Sequence, residues 1–158
     1  MNNSLNKFVK AILDFCFFVG IVIEISVPLI LSKSVNLVVE KLGDTTEYAK
    51  ILDNYPFAIV SIMLAGGAAL VILYDLRRMM KTVIEDNCFV KQNVDSLYRM
   101  GTFAFIIAGI KIIRCFVYFT PAAIIVAGVF GFAGLLSKVL ARVFDRAVSY
   151  KQENDLTI

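Results

Sequence analysis

The chain has 158 residues, of which 59% are hydrophobic, and carries a net charge of +3; its mean hydropathy is +0.78. That is more apolar side chain than a soluble domain of this length can bury, so a lipid bilayer has to supply the missing solvent. There is no histidine, hence no imidazole base, no histidine zinc triad and no Ser-His-Asp arrangement, and the chain reads as a non-enzymatic protein without a cofactor or metal.

Taken in chain order, the run Phe15–Leu31 holds one charge, Glu24, and Phe57–Tyr74 holds none. Met100–Ser137 holds only Lys111 and Arg114. A spanning helix needs about 20 mostly apolar residues, so the last run accommodates two spans if a turn divides it. Thr120-Pro121 supplies that turn, because Thr caps a helix start and Pro is tolerated at its first position. The predicted spans are 10–32, 56–76, 100–119 and 121–140, joined by an outer helical loop at 33–55 and a cytoplasmic loop at 77–99, with a cytoplasmic extension and tail at 141–158. The fold class is all-α, an integral membrane four-helix bundle whose helices extend beyond the bilayer on the cytoplasmic side. A three-span alternative merges Cys115–Ser137 into one helix.

Charge asymmetry selects four spans. Lys7, Lys10, Arg77, Arg78, Lys81, Lys91, Arg99, Lys138, Arg142, Arg146 and Lys151 then share one side, against Lys33, Lys41 and Lys50 on the other. The positive-inside rule places both termini and the middle loop in the cytoplasm of a bacterial cell, with the protein in its plasma (inner) membrane. Glu24 and Pro28 interrupt the first run and no small-residue cleavage site follows it, so it reads as a retained span rather than a signal peptide. The basic face suits anionic headgroups, not direct nucleic-acid binding, because aromatic and basic residues are not interleaved as a base-stacking surface requires. Cys16 and Cys115 fall in spans and Cys88 in the middle loop, without disulfide or metal spacing.

Helical periodicity continues past the second span, with Leu76, Met79, Met80, Val83 and Ile84 on one face. It continues past the fourth, where Leu136, Val139, Leu140, Val143, Phe144 and Ala147 form a stripe that wants a partner: the neighbouring helix, another protein or the headgroup layer. On the outer side, Gly43 followed by Asp44 and Glu47 reads as a helix stop and restart, so a short second helix folds back over the bundle.

Inside the membrane, Glu24, Lys111 and Arg114 fall at a shared depth at ~1.5 Å per residue, and Lys111 and Arg114 share a helix face. A lone charge near mid-helix costs a few kcal/mol on insertion scales, so a Glu24–Arg114 pair is expected, with Lys111 left to snorkel, to occupy a wet cavity or to bind an anion. Asp14 and Asp75 sit lower, near the cytoplasmic boundary where they can hydrate. Small residues at Ala123, Ala127 and Gly131, at Gly128, Gly131 and Gly134, and in Ala65-Gly66-Gly67-Ala68-Ala69 mark close helix contacts. Their spacing serves packing within one chain and a homo-oligomer equally.

Two segments stand outside this membrane logic: the loop Asp86-Asn87-Cys88-Phe89-Val90-Lys91-Gln92-Asn93, followed by Gly101, and the tail Glu153-Asn154-Asp155-Leu156-Thr157-Ile158. Together they resemble domain of unknown function family 2975, which includes the YoaS-like bacterial membrane proteins. In that family an Asn-Pro-Phe-x-x-x-Asn loop precedes the third span and an acidic tail closes the chain; here Cys88 stands where the family has Pro, while Phe89 and Asn93 match. The resemblance implies four helices, an unassigned activity and genes neighbouring a small helix-turn-helix regulator. Asn93 is expected to cap the helix entering the third span and Phe89 to plug the cytoplasmic bundle. The tail alternates polar and apolar residues and can add as a strand to a partner or pack on the bundle. The resulting expectation is a membrane regulator that holds such a DNA-binding protein through Phe89, Asn93, Glu153, Asn154, Asp155, Leu156, Thr157 and Ile158. A transporter or a ligand- or lipid-binding protein centred on Glu24, Lys111 and Arg114, and a structural or immunity-type membrane protein, stand as alternatives.

Overall fold

A computed structural model describes residues 3–42 and 49–155. They form five helices: α1 (Asn3–Leu42), α2 (Ala49–Asp53), α3 (Tyr55–Ile84), α4 (Lys91–Val117) and α5 (Pro121–Asp155). Four of these are long and apolar enough to cross a membrane, in agreement with the all-α four-span reading. The expected turn is in place: α4 ends at Tyr118, whose N–H donates to the Arg114 carbonyl at 2.9 Å, and α5 starts at Pro121. The Gly43, Asp44 and Glu47 stop-and-restart lies outside the described residues, but the short helix α2 exists and folds back. Its Ile51 packs with Val35, Ala58 and Tyr118 in a small apolar cap.

The long helices overshoot the hydrocarbon. At ~1.5 Å per residue, the 35 residues of α5 span about 50 Å against a core of about 30 Å. Pro28 sits inside α1, where its missing N–H leaves the carbonyl of Glu24, four residues earlier, without its helical donor.

The helices pack in chain order: α1 lies on α3, α3 on α4 and α4 on α5, whereas α1 touches neither α4 nor α5. Two features explain the close α4–α5 pairing. Buried positions on α4 repeat every seven residues, as Val94, Gly101 and Ala108 and as Leu97 and Ala104; on α5, Ala127, Gly134, Ala141 and Val148 do the same. Seven-residue spacing keeps one face of each helix on a shared seam, and small residues on that seam let the backbones approach, which is how helices associate in lipid. A side chain on Gly134 would come within 3.1 Å of the Gly101 carbonyl, and one on Gly101 within 3.1 Å of that of Gly134. Ser137 Oγ closes the contact by donating to the buried Leu97 carbonyl at 2.7 Å. The large apolar residues of α5 face the other way: Leu136, Val139, Leu140 and Val143 are about half exposed. Four residues of the expected apolar stripe thus face out, while Phe144 of the same stripe packs on Phe89, and Ala127 and Gly134, from the expected small-residue positions, make the α4–α5 contact.

Candidate functional site

At the end holding residues 85–90, α3 closes in a hydrogen-bonded stop. Asp86 adopts a positive φ of 53°, its N–H donates to the Val83 carbonyl at 3.3 Å and that of Asn87 to Thr82 at 2.9 Å, the pattern that satisfies orphan carbonyls at a left-handed helix end. Asn93 locks this turn to α4, donating through Nδ2 to Thr82 Oγ1 and to the Cys88 carbonyl, both at 2.7 Å. It does not cap α4: Val90 is the N-cap residue, without a side-chain cap bond, and Asn93 lies three residues inside, reaching back. At 1% exposure it is a buried brace, not a partner-facing group.

Phe89 packs on Phe144 with ring centroids 5.4 Å apart and stays half exposed. Lys91 Nζ donates to Asp145 at 2.9 Å and Lys151 Nζ to Asn87 Oδ1 at 3.0 Å. The loop motif thus straps α5 beyond its membrane portion. Glu153 and Asn154 lie exposed on the last turn of α5, Asp155 ends that helix, and Leu156, Thr157 and Ile158 lie outside the described residues.

Two further ion pairs stand one step deeper. Arg77 Nε donates to Asp14 at 2.5 Å, joining α1 to α3, and its guanidinium lies 4.4 Å from the Phe17 ring centroid. Arg99 grips both carboxylate oxygens of Asp75, donating through Nε at 2.8 Å and through a second guanidinium nitrogen. Asp75 is wholly buried, contrary to its expected hydration at the membrane boundary. It lies on a seven-residue row with Ser61, Ala68 and Thr82, all buried on α3, so it faces α4 and must be paired.

The expected cluster of Glu24, Lys111 and Arg114 is divided. Shared depth does not bring Glu24 to Arg114, because α3 separates α1 from α4. The Glu24 carboxylate instead rests on the glycine waist of α3, where a Cβ on Gly66 would lie 1.9 Å from its Oε2. Gly66 is thus the position at which the side chain of Glu24 enters α3.

Lys111 and Arg114 do come together. They line a cavity of about 170 Å³ with Ile51, Thr120, Ala122, Ala123 and Val126. The Arg114 guanidinium carbon lies 4.6 Å from the Tyr118 ring centroid, and Arg114 Nε and Tyr118 Oη are buried without a hydrogen-bond partner. Lys111 continues the seven-residue row Leu97, Ala104, Lys111 of α4, and it lines the cavity beside Ala122, Ala123 and Val126 of α5. That row was the available signal for which way Lys111 faces. Among the described residues no group of His, Cys, Asp or Glu side chains is arranged to hold a metal ion.

The family model described as a protein of unknown function (DUF2975) matches residues 36–158, and the chain belongs to that family. No curated protein and no solved structure matches it.

Proposed function

We propose that this DUF2975 member is a non-enzymatic membrane regulator whose loop-bearing end faces the cytoplasm and docks a small helix-turn-helix DNA-binding protein. The observation that carries this reading is the strapped extension of α5. Phe89 on Phe144, Lys91 on Asp145 and Lys151 on Asn87 hold the segment beyond about residue 140. Its outward face presents Val143 and Tyr150, seven residues apart and 56% and 65% exposed, with Arg146 between them. A rigid, half-apolar helical face outside the hydrocarbon is the kind of surface a partner helix reads. The positive-inside distribution of Lys and Arg supports the cytoplasmic placement, and the genes that family resemblance sets beside such chains support the nature of the partner.

Co-purification of the full chain with the regulator encoded beside it tests the reading. The intact protein is expected to retain the regulator, and Val143→Glu with Tyr150→Glu, or removal of residues 151–158, to release it. No retention by the intact chain overturns the proposal.

A further inference from the structure

The other end of the molecule carries a second site, independent of the docking reading. Three other cations of the long helices have partners: Arg77 has Asp14, Arg99 has Asp75, and Lys138 donates to Thr102 Oγ1 at 2.7 Å. Lys111 and Arg114 have no carboxylate within 4.0 Å among the described residues, yet they line one cavity. Like charges placed side by side in a partly buried site repel, and an unpaired cation in a span costs a few kcal/mol. Such an arrangement persists where an anion completes it.

The rest of the lining has matching chemistry. Thr120 is buried and supplies a hydroxyl. Pro121 has no N–H, so the first free donor of the 35-residue helix α5 is that of Ala122, at the positive end of the helix dipole. Ala122 and Ala123 line the cavity. Arg114 Nε is a buried donor without a partner. An ammonium, a guanidinium, a hydroxyl and a helix N-terminus around one small space form a donor set suited to a tetrahedral oxyanion. The volume of about 170 Å³ falls below the ~300 Å³ at which pockets for drug-sized ligands begin, so the site takes a single phosphate group rather than a nucleotide. Counting back from Val117 at ~1.5 Å per residue, Arg114 lies about 5 Å and Lys111 about 9 Å from the end of α4, within reach of the headgroup layer.

We propose that Lys111, Arg114, Thr120 and the first turn of α5 bind a phosphate-bearing anion at this end of the molecule. The phosphodiester of an anionic lipid and free inorganic phosphate present the same chemistry, and the experiment separates them. The full-length protein in detergent is examined by native mass spectrometry with phosphatidylglycerol or a phosphate-free diacylglycerol glycolipid, and by calorimetric titration with inorganic phosphate. Retention of phosphatidylglycerol over the glycolipid identifies a headgroup site, and heat with inorganic phosphate identifies a soluble-anion site. In either case Lys111→Gln weakens binding about tenfold, as loss of one charge-assisted hydrogen bond does. Ala122→Glu abolishes it by placing a carboxylate in the site. Ala122 is exposed and an acid in a first helical turn is favourable, so this variant folds. Lys138→Gln, at a cation outside the site, leaves binding unchanged. Absence of preference for either phosphate probe, or wild-type affinity in Lys111→Gln and Ala122→Glu, overturns the proposal.

Discussion

The two ends of this protein use the same kinds of side chain and treat them in opposite ways. At the loop-bearing end three acids each hold a cation: Asp14 has Arg77, Asp75 has Arg99, and Asp145 has Lys91. At the opposite end Lys111 and Arg114 share a cavity in which, among the described residues, no acid pairs with them. A closed polar network holds helices together, whereas cations left open across a cavity add nothing to packing and lower stability. The contrast separates what in this molecule is architecture from what is available for binding. A site that departs from local stability rules is where function is to be sought.

The sharpest break in the comparison comes from Asp75. Asp75→Ala strands the Arg99 guanidinium against α3, and removing one partner of a buried pair costs about 3–5 kcal/mol. Because the Arg99 side chain is 43% exposed and can rehydrate, about 3 kcal/mol is expected, seen as a large fall in the unfolding midpoint in detergent. An unchanged midpoint would show that the loop-bearing end is not held by its ion pairs.

Lys111→Met moves the other way. It removes a cation that has no carboxylate partner among the described residues and keeps the length of the side chain, so stability without ligand is expected to rise by about 1–2 kcal/mol on the scale of intramembrane charge costs. Thermal unfolding of the two variants side by side measures the contrast; a fall for Lys111→Met would place that lysine in the architecture instead. Lys91→Ala lies at the small end. Lys91 and Asp145 are exposed, and exposed ion pairs contribute little and are screened by salt. Its unfolding midpoint is expected to match the wild type, most closely in high salt.

Much of the fold was legible because membrane physics is written in long runs. Four apolar segments, a Thr120-Pro121 divider and one-sided Lys and Arg are enough to count helices, since each span must satisfy its own backbone in lipid. The loop motif was legible as a feature but not in its action. Asn93 looked like a cap, and three residues of difference in where α4 begins turned it into a brace between Thr82 and the Cys88 carbonyl.

Depth along the membrane normal, used to pair Glu24 with Arg114, carries no information about which helices are neighbours. The seven-residue rows did carry it. Ser61, Ala68, Asp75 and Thr82 on α3, and Leu97, Ala104 and Lys111 on α4, are visible in the sequence, and they indicate that Asp75 and Lys111 face other helices.

By itself the sequence therefore determined the number of helices, their apolar extent and the charge bias between the two ends, because these follow from the transfer of each segment between water and lipid. Only the tertiary structure decided that α1 meets α3 and neither α4 nor α5, that Glu24 rests on Gly66 while Asp75 holds Arg99, and that Lys111 and Arg114 meet at the start of α5. Those choices depend on which small-residue faces allow two backbones to approach, a property of pairs of helices that no single segment contains.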